Sequence, residues 1–183
     1  LTEQEQLWSH WPLLLFLSIV SFFVVLRSGT VRKRPQHFRW MGLATLSGVL
    51  LSLGFPPLPF PIFLFAGFVP LLLLEKEISS INESSNKKAV LRYAYHAFLV
   101  WNILTTFWVT NTAFIAGLIA IFANAFLMSI PFVLFHQCKK ALRGRLALFG
   151  FISLWITFEY LHMRWELSWP WLTLGNGLAR FPE

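Results

Sequence analysis

The sequence predicts an all-α protein, a polytopic transmembrane helix bundle of about six spans, and three observations support that prediction. The first is composition: 56% of the 183 residues are hydrophobic and only 13% are charged, whereas soluble domains average about 25% charged residues. The second is the presence of six apolar runs that approach the roughly 20 residues a helix needs to cross a bilayer. The third is that Lys and Arg concentrate in alternate connecting segments, as in cytoplasmic loops.

The six apolar runs each predict one helix, and they are residues 11–26, 38–55, 60–74, 89–110, 113–137 and 146–162. The second and third runs are short and are joined by the sequence FPPLPFP. Its prolines have no backbone N–H and clash with a continuing helix, so we expect a rigid turn there. Pro131 lies inside the fifth run and predicts a kink in that helix.

The basic residues predict the sidedness of the bundle. All but two of the 15 Lys and Arg residues lie in the segments that follow the first, third and fifth runs; the exceptions are Arg164 and Arg180. We therefore expect these three segments to face the cytoplasm and both termini of the sequence to face away from it. A solvated cytoplasmic loop explains the basic stretch at residues 32–34, so no nucleic-acid partner is expected.

Ionisable side chains inside the sixth run are candidate functional residues, because charges are costly within a membrane. Trp155, Glu159, His162 and Glu166 are spaced by four, three and four residues, which places them on one face of a helix. Glu159 has three possible roles: pairing with an Arg or Lys at the interface, accepting a hydrogen bond from an Arg or Trp on a neighbouring helix, or holding a lipid headgroup.

The fourth run carries aromatic and polar side chains at helical spacing: Trp101, Thr105 and Trp108, with Asn102 and Thr106 beside them. Such side chains commonly join helices by packing and hydrogen bonds. We expect the same role for His96 in this run and for Asn124 in the fifth.

The sequence SWPWLTLGNG follows the sixth run and places Trp169 and Trp171 on either side of Pro170. Proline interrupts the helix and the following glycines permit irregular backbone, so we expect an outward-facing Trp-Pro-Trp loop at the membrane interface. Trp is frequent at that depth as a simple anchor. The sequence leaves an anchor and a lipid-binding site equally open.

Cys138 is the only cysteine, which excludes an intrachain disulfide and a Cys-based metal site. A thiolate can carry an acyl group, but Cys138 lies on the predicted cytoplasmic side, away from the outward polar cluster. We therefore expect a structural or incidental cysteine. No metal site and no cofactor are expected.

Three segments resemble one family. LLSLGFPPLPFPIFLFAGFVPLLLL, AFLVWNILTTFWVTNT and LWITFEYLHMRWELSWPWLTLGN are similar in order and spacing to the N-terminal membrane part of the bacterial apolipoprotein N-acyltransferases. The likeness extends over residues 41–183. It suggests an extra N-terminal transmembrane helix and basic cytoplasmic loop in residues 1–37, followed by an acyltransferase-like membrane domain in residues 38–183.

The resemblance implies transfer of an acyl chain from a phospholipid donor to the N-terminal diacylglyceryl-cysteine of a lipoprotein at the bacterial inner membrane. In that family a cysteine of a periplasmic nitrilase-like domain, assisted by a Glu and a Lys, carries the acyl group as a thioester. No such domain is present in these 183 residues. We therefore expect this chain to be a fragment that does not catalyse the transfer alone.

The resemblance also suggests candidate site residues. Trp171 and Pro170 match the family's Pro-Trp pair, and Glu159 matches the Glu of its Glu-aromatic-Leu-basic pattern. The sequence departs by having His162 where the family usually has Arg, with Arg164 two residues later. The candidate lipid- or substrate-binding residues are therefore Trp171, Pro170, Glu159, Trp169, His162, Arg164 and Trp108.

Two other functions remain open on the sequence. A non-catalytic membrane module that anchors or docks a separate enzyme fits the same composition. A small transporter is suggested by the polar residues of the fourth and sixth runs, but the sequence lacks clear inverted repeats or paired broken helices.

Overall fold

A computed structural model describes residues 35–56, 60–81, 86–139, 141–142, 145–166 and 169–178, together with Phe16, Ile19, Val20 and Phe23. This part of the chain is helical and contains no strand, which confirms the all-α prediction. The predicted first span and the basic segment after it lie outside the described residues, except for those four helical positions.

The described helices follow one another with short connections. They are α1 (Pro35–Leu53), α2 (Ile62–Ser80), α3 (Asn86–Thr106), α4 (Phe114–Cys138), α5 (Arg145–His162) and the single turn α6 (Leu174–Gly177), with 3₁₀ turns at Phe107–Asn111 and Pro170–Leu172. Helix α1 packs against α2 and α3, α3 packs against α4, and α4 packs against α5.

Two predicted helix ends were wrong. Helix α2 continues past residue 74 to Ser80, because a helix can extend beyond its apolar run when the polar side chains find partners. Helix α3 ends at Thr106 instead of residue 110, and a 3₁₀ turn follows. Thr105 and Thr106 donate to the carbonyls of Trp101 and Asn102 at 2.7 and 2.6 Å. Such back-bonding competes with a regular helix.

Small and polar residues bring α1 close to its neighbours. Ser47 Oγ donates to the carbonyl of Gly67 on α2 at 2.6 Å. A Cβ added at Gly48 would lie 2.8 Å from Cβ of Val100 on α3, so only glycine permits this approach. His96 Nε2 lies 2.9 Å from Thr45 Oγ1 on α1, which confirms the predicted helix-joining role of His96.

The centre of the bundle is aromatic. Phe68 of α2, Trp101 of α3 and Trp155 of α5 are buried, and the rings of Phe68 and Trp155 meet edge to face with centroids 4.7 Å apart. Such pairs contribute about 0.5–1.5 kcal/mol each beyond the area they bury. This cluster fixes α5 against α2 and α3, and so sets the position of everything that follows α5.

Large apolar side chains also cover the outside of the bundle. On α4 an exposed stripe consists of Ile115, Ile119, Phe122, Phe126, Ile130 and Leu134, and on α2 another consists of Ile62, Phe65, Val69 and Leu73. Soluble monomers rarely expose apolar surface on this scale. By length and composition, α4 is the one helix within the described residues that suffices to cross a bilayer.

The bundle has two chemically different ends. At the basic end, the start of α1 meets the end of α2, where Arg39 pairs with Glu77 at 2.7 Å, and Lys139 follows α4. At the aromatic end lie the turn after α1, the end of α3 and residues 169–177. The described parts of the basic segments therefore lie together at one end of the bundle, and the described parts of the segments poor in Lys and Arg lie together at the other.

Candidate lipid-binding site at the aromatic end

The site begins where α5 ends. The amides of Met163 and Arg164 bond to the carbonyls of Glu159 and Leu161, both at 3.0 Å, so the last turn tightens and the helix stops at His162. Glu166 lies beyond that end. The predicted helix face therefore includes Trp155, Glu159 and His162 but not Glu166.

Residues 169–177 fold back as a compact segment, which we call the aromatic loop. The carbonyl of Pro170 accepts hydrogen bonds from the Thr173 amide at 3.4 Å and from Asn176 Nδ2. Leu172 is buried. Gly177 packs against Leu64, and an added Cβ would meet that side chain and lie 3.3 Å from the Gly54 carbonyl. The loop is thus fixed against the turn between α1 and α2.

Glu159 ties the aromatic loop to α5. Its Oε1 accepts one hydrogen bond from Trp155 Nε1 at 2.9 Å and another from the backbone N–H of Leu174 at 3.0 Å. In the described part of the chain Glu159 pairs with no Lys or Arg; Arg164 lies instead over the ring of Tyr160, 4.5 Å from its centroid. Glu159 thus accepts hydrogen bonds in the described residues, but from Trp155 of its own helix and from a backbone N–H, and not from an Arg or Trp of a neighbouring helix.

Trp171 and Trp108 form one wall of an open groove. Their rings meet edge to face with centroids 5.4 Å apart, and Trp171 remains 53% exposed. The groove has a volume of about 280 Å³ and is lined by Phe55, Pro56, Thr105, Thr106, Trp108, Trp171, Leu172 and Asn176.

The described polar side chains of this groove each donate one hydrogen bond within the protein. Thr105 and Thr106 donate to carbonyls of α3, Asn176 donates to Pro170, and Trp108 Nε1 donates to the Thr105 carbonyl at 3.2 Å. Among the residues that the structure describes, no charged side chain lines the groove. An uncharged, apolar group such as a segment of an acyl chain therefore matches it, whereas a phosphate or an ammonium would find no counter-charge.

A hydrogen-bonded chain runs from the end of α5 into the bundle. His162 Nε2 donates to Asn124 Oδ1 at 3.1 Å, and Asn124 Nδ2 donates to Asn102 Oδ1 at 2.7 Å. All three side chains are buried. This confirms the predicted helix-joining role of Asn102 and Asn124 and fixes the ring orientation of His162.

The structure divides the seven candidate site residues into three groups. Trp108 and Trp171 line the groove, and Pro170 shapes it through its carbonyl. Glu159, His162 and Trp169 line a second, much smaller cavity behind the loop. Arg164 lines neither.

Several residues that line the groove were not predicted as site residues. Phe55 and Pro56 were assigned to the end of the second apolar run and the turn after it, and Leu172 and Asn176 to a loop. A signal was available, because the FPP turn and the SWPWL loop were predicted on the same side of the membrane. Their direct contact through Gly177 and Leu64 is a long-range packing event that no local pattern specifies.

A second polar cluster lies at the basic end and was also missed. Glu75 follows an unbroken run of four leucines, which was the available signal. Its carboxylate meets Lys139 Nζ at 2.5 Å, His136 Nδ1 at 2.8 Å and Ser79 Oγ at 2.6 Å. Glu75 is fully buried within α2, and the hydrogen bonds from Lys139, Ser79 and His136 compensate the charge of its carboxylate.

The fold is thus an apolar helical bundle with a groove suited to an uncharged chain, and comparison with known proteins gives its family. The sequence model of the Apolipoprotein N-acyltransferase N-terminal domain matches residues 47–183. The chain belongs to this family. It is also similar to the apolipoprotein N-acyltransferase of Chlorobaculum tepidum, with 29% identity over 140 residues. That likeness covers 75% of this chain but 25% of the relative, so the chain spans about a quarter of the length of the curated relative it matches. No solved structure matches the chain.

Proposed function

We propose that this chain is the lipid-handling membrane portion of an apolipoprotein N-acyltransferase. In this proposal the complete enzyme moves an acyl chain from a phospholipid donor to the N-terminal diacylglyceryl-cysteine of a lipoprotein. The family match over residues 47–183 is the observation that carries the proposal. The groove supports it independently, since most of its lining residues are aromatic or apolar and its three polar side chains each donate a hydrogen bond within the protein.

The proposed setting is the bacterial inner membrane, crossed about six times, with the aromatic loop at the periplasmic interface and both termini of this sequence on that side. The exposed apolar stripes on α2 and α4 support immersion in lipid. The segregation of Lys and Arg to the opposite end supports the orientation. Residues 1–37 would add a further helix and basic loop to the acyltransferase-like domain of residues 38–183.

Within this proposal the chain binds and orients lipid and does not itself make or break the acyl bond. An acyl-carrying nucleophile would need to reach the groove. The only cysteine of the sequence, Cys138, is exposed at the end of α4 and belongs to the basic end, whereas the groove lies at the aromatic end. Phospholipid and a diacylated lipoprotein are the partners this assignment implies.

Trp171→Ala in the intact enzyme tests the proposal. Trp171 is half exposed and shares one edge-to-face contact with Trp108, so its removal should leave folding nearly unchanged. Losing an aromatic contact to an acyl chain should lower kcat/KM for lipoprotein N-acylation about tenfold, the equivalent of about 1.4 kcal/mol of binding.

Trp165→Ala is the matched control. Trp165 is a partly exposed tryptophan just after α5. Its ring centroid lies 5.5 Å from that of His162 and its ring lines a separate apolar cavity, so it does not line the groove. The two variants are compared for N-acylation of a diacylated lipopeptide and for melting temperature in detergent. Equal activity of Trp171→Ala and Trp165→Ala would show that Trp171 does not bind the acyl chain and serves only as a membrane anchor.

A further inference from the structure

Behind the aromatic loop lies a cavity that the groove does not include. It has a volume of about 10 Å³ and lies between α4, α5 and the loop, at the lower limit of about 10–15 Å³ that holds one water molecule. Its polar lining comes from Asn124, Glu159, His162, Trp169 and Thr173. Its remaining lining residues are apolar or aromatic.

The polar groups around this cavity have unused hydrogen-bonding capacity. Trp169 Nε1 is a buried donor with no partner in the described part of the chain. Both hydrogen bonds of Glu159 fall on Oε1, which leaves Oε2 as an acceptor without a described partner. His162 uses Nε2 to donate to Asn124, so in the neutral ring Nδ1 is an acceptor. All three residues line this cavity, and one of them has an unpaired buried donor while the other two have an acceptor without a described partner.

We infer that this cavity binds one water molecule, which accepts from Trp169 Nε1 and donates to Glu159 Oε2 and His162 Nδ1. A water satisfies all three groups at once. A primary ammonium has a similar size but has no lone pair to accept the Trp169 N–H, so it would leave that buried donor unpaired.

The water gives Trp169 a role that its neighbour Trp171 does not have. Trp169 precedes the 3₁₀ turn that carries Trp171, and Glu159 already holds the far side of the loop through Leu174. A bridge from Trp169 to α5 would fix the near side as well. Trp169 is therefore a positioning residue for Trp171, a role that rests on the proposed function.

The water site is tested by a high-resolution density map of the intact protein in lipid nanodiscs. A peak is expected within hydrogen-bonding distance of Trp169 Nε1, Glu159 and His162. Trp101 is the internal control, because its Nε1 is likewise buried without a described partner but lies in the aromatic core and does not line this cavity. No peak at Trp169, Trp169 Nε1 bonded to a protein atom, or a lipid ammonium in the cavity would each overturn the inference.

The positioning role is tested by Trp169→Phe, which keeps a packed ring and removes the N–H. We expect KM for the lipid donor to rise about fivefold with little change in kcat, as for the loss of one modest hydrogen bond, and the melting temperature to match that of Trp165→Phe. An unchanged KM, with the water present in the map, would overturn the positioning role alone. Full activity of Trp171→Ala would overturn the proposed function of the groove. The density map would still show whether a water molecule occupies the small cavity.

Discussion

Each end of this bundle contains a glutamate that accepts hydrogen bonds, but the two carboxylates differ in their burial and in the charge of their donors. Glu75 at the basic end is fully buried and meets a lysine, a histidine and a serine. Glu159 at the aromatic end is partly buried, and within the described residues it accepts from two neutral N–H groups, both on one of its oxygens. The first has its charge compensated, and the second retains hydrogen-bonding capacity beside a cavity.

This difference separates a structural end from a functional one. The Glu75 cluster joins the ends of α2 and α4, and no further polar ligand is needed to satisfy the carboxylate. At the aromatic end hydrogen bonds shape a loop, Trp171 remains exposed, and Glu159 Oε2 has no partner among the described protein residues. Removing groups at the basic end should therefore affect stability, and removing groups at the aromatic end should affect activity.

The largest effect is expected from Lys139→Met, which leaves the Glu75 carboxylate buried without its cation. Breaking a buried ion pair from one side costs about 3 kcal/mol or more, which corresponds to a fall of roughly 6–12 °C in melting temperature for a chain of this size. Thermal unfolding in detergent measures this fall.

Lys76→Met, at an exposed position on α2, is the control for that variant. Glu75→Gln combined with Lys139→Met should recover part of the lost stability. A Lys139→Met protein as stable as the control would mean that the basic end does not depend on this pair.

The next effect concerns the loop bond at Glu159 and is tested by Leu174→Pro. Leu174 is the first residue of α6, and Thr173 before it has φ −71° and ψ 143°. Both positions suit a proline, so the substitution removes the N–H donor without forcing the backbone. Loss of a hydrogen bond to a charged acceptor corresponds to about 2 kcal/mol.

Leu174→Ala is the control for that variant, because it shortens the side chain and keeps the N–H. N-acylation by the intact enzyme and proteolysis within residues 169–178 should both change more in Leu174→Pro than in Leu174→Ala. If the two variants behave alike, side-chain packing, and not the bond to Glu159, positions the loop.

A smaller effect is expected midway between the ends, where Asn124 bonds Asn102 at 2.7 Å. Hydrogen bonds between membrane helices average about 0.6 kcal/mol in double-mutant cycles. A cycle with Asn102→Leu and Asn124→Leu should give a coupling free energy of that order in unfolding experiments. A coupling of several kcal/mol would show that this central pair, and not the basic end, dominates the stability of the bundle.

The smallest effect on activity is expected at Arg164, which lies over Tyr160 and lines neither the groove nor the small cavity. An exposed cation–π contact is worth only about 0.5–1 kcal/mol. Arg164→Ala should leave kcat/KM for N-acylation within about twofold of the parent. A loss as large as that of Trp171→Ala would instead identify Arg164 as a contact for an anionic headgroup and would make the aromatic end as dependent on charge as the basic end.

The helices themselves were largely readable from the sequence. The fifth apolar run predicted residues 113–137, and α4 spans Phe114–Cys138; the sixth predicted 146–162, and α5 spans Arg145–His162. These ends were predictable because the apolar runs stop at polar or basic residues. The end of α3 could not be predicted in this way. The hydroxyls of Thr105 and Thr106 donate to backbone carbonyls of the preceding turn, and the α-helix is followed there by a 3₁₀ turn.

Pairings between distant residues were the part that the sequence did not reveal. Glu75 and Lys139 are 64 positions apart, and the groove combines the turn after α1 with the end of α3 and the aromatic loop. Hydrophobic periodicity predicts which residues are helical but not which helix ends meet. Candidates chosen by residue type, such as Trp108 and Trp171, therefore proved to be neighbours, whereas Arg164 proved to be separate from them.

The most direct test of the difference between the two ends is a side-by-side measurement of Trp171→Ala and Lys139→Met in the intact enzyme, with melting temperature and kcat/KM for N-acylation determined on the same preparations. We predict that Trp171→Ala keeps the parent melting temperature and loses about tenfold in kcat/KM. We predict that Lys139→Met loses stability and, once folded, keeps its kcat/KM. The reverse assignment, or a loss of both quantities in both variants, would contradict the division into a structural basic end and a lipid-binding aromatic end.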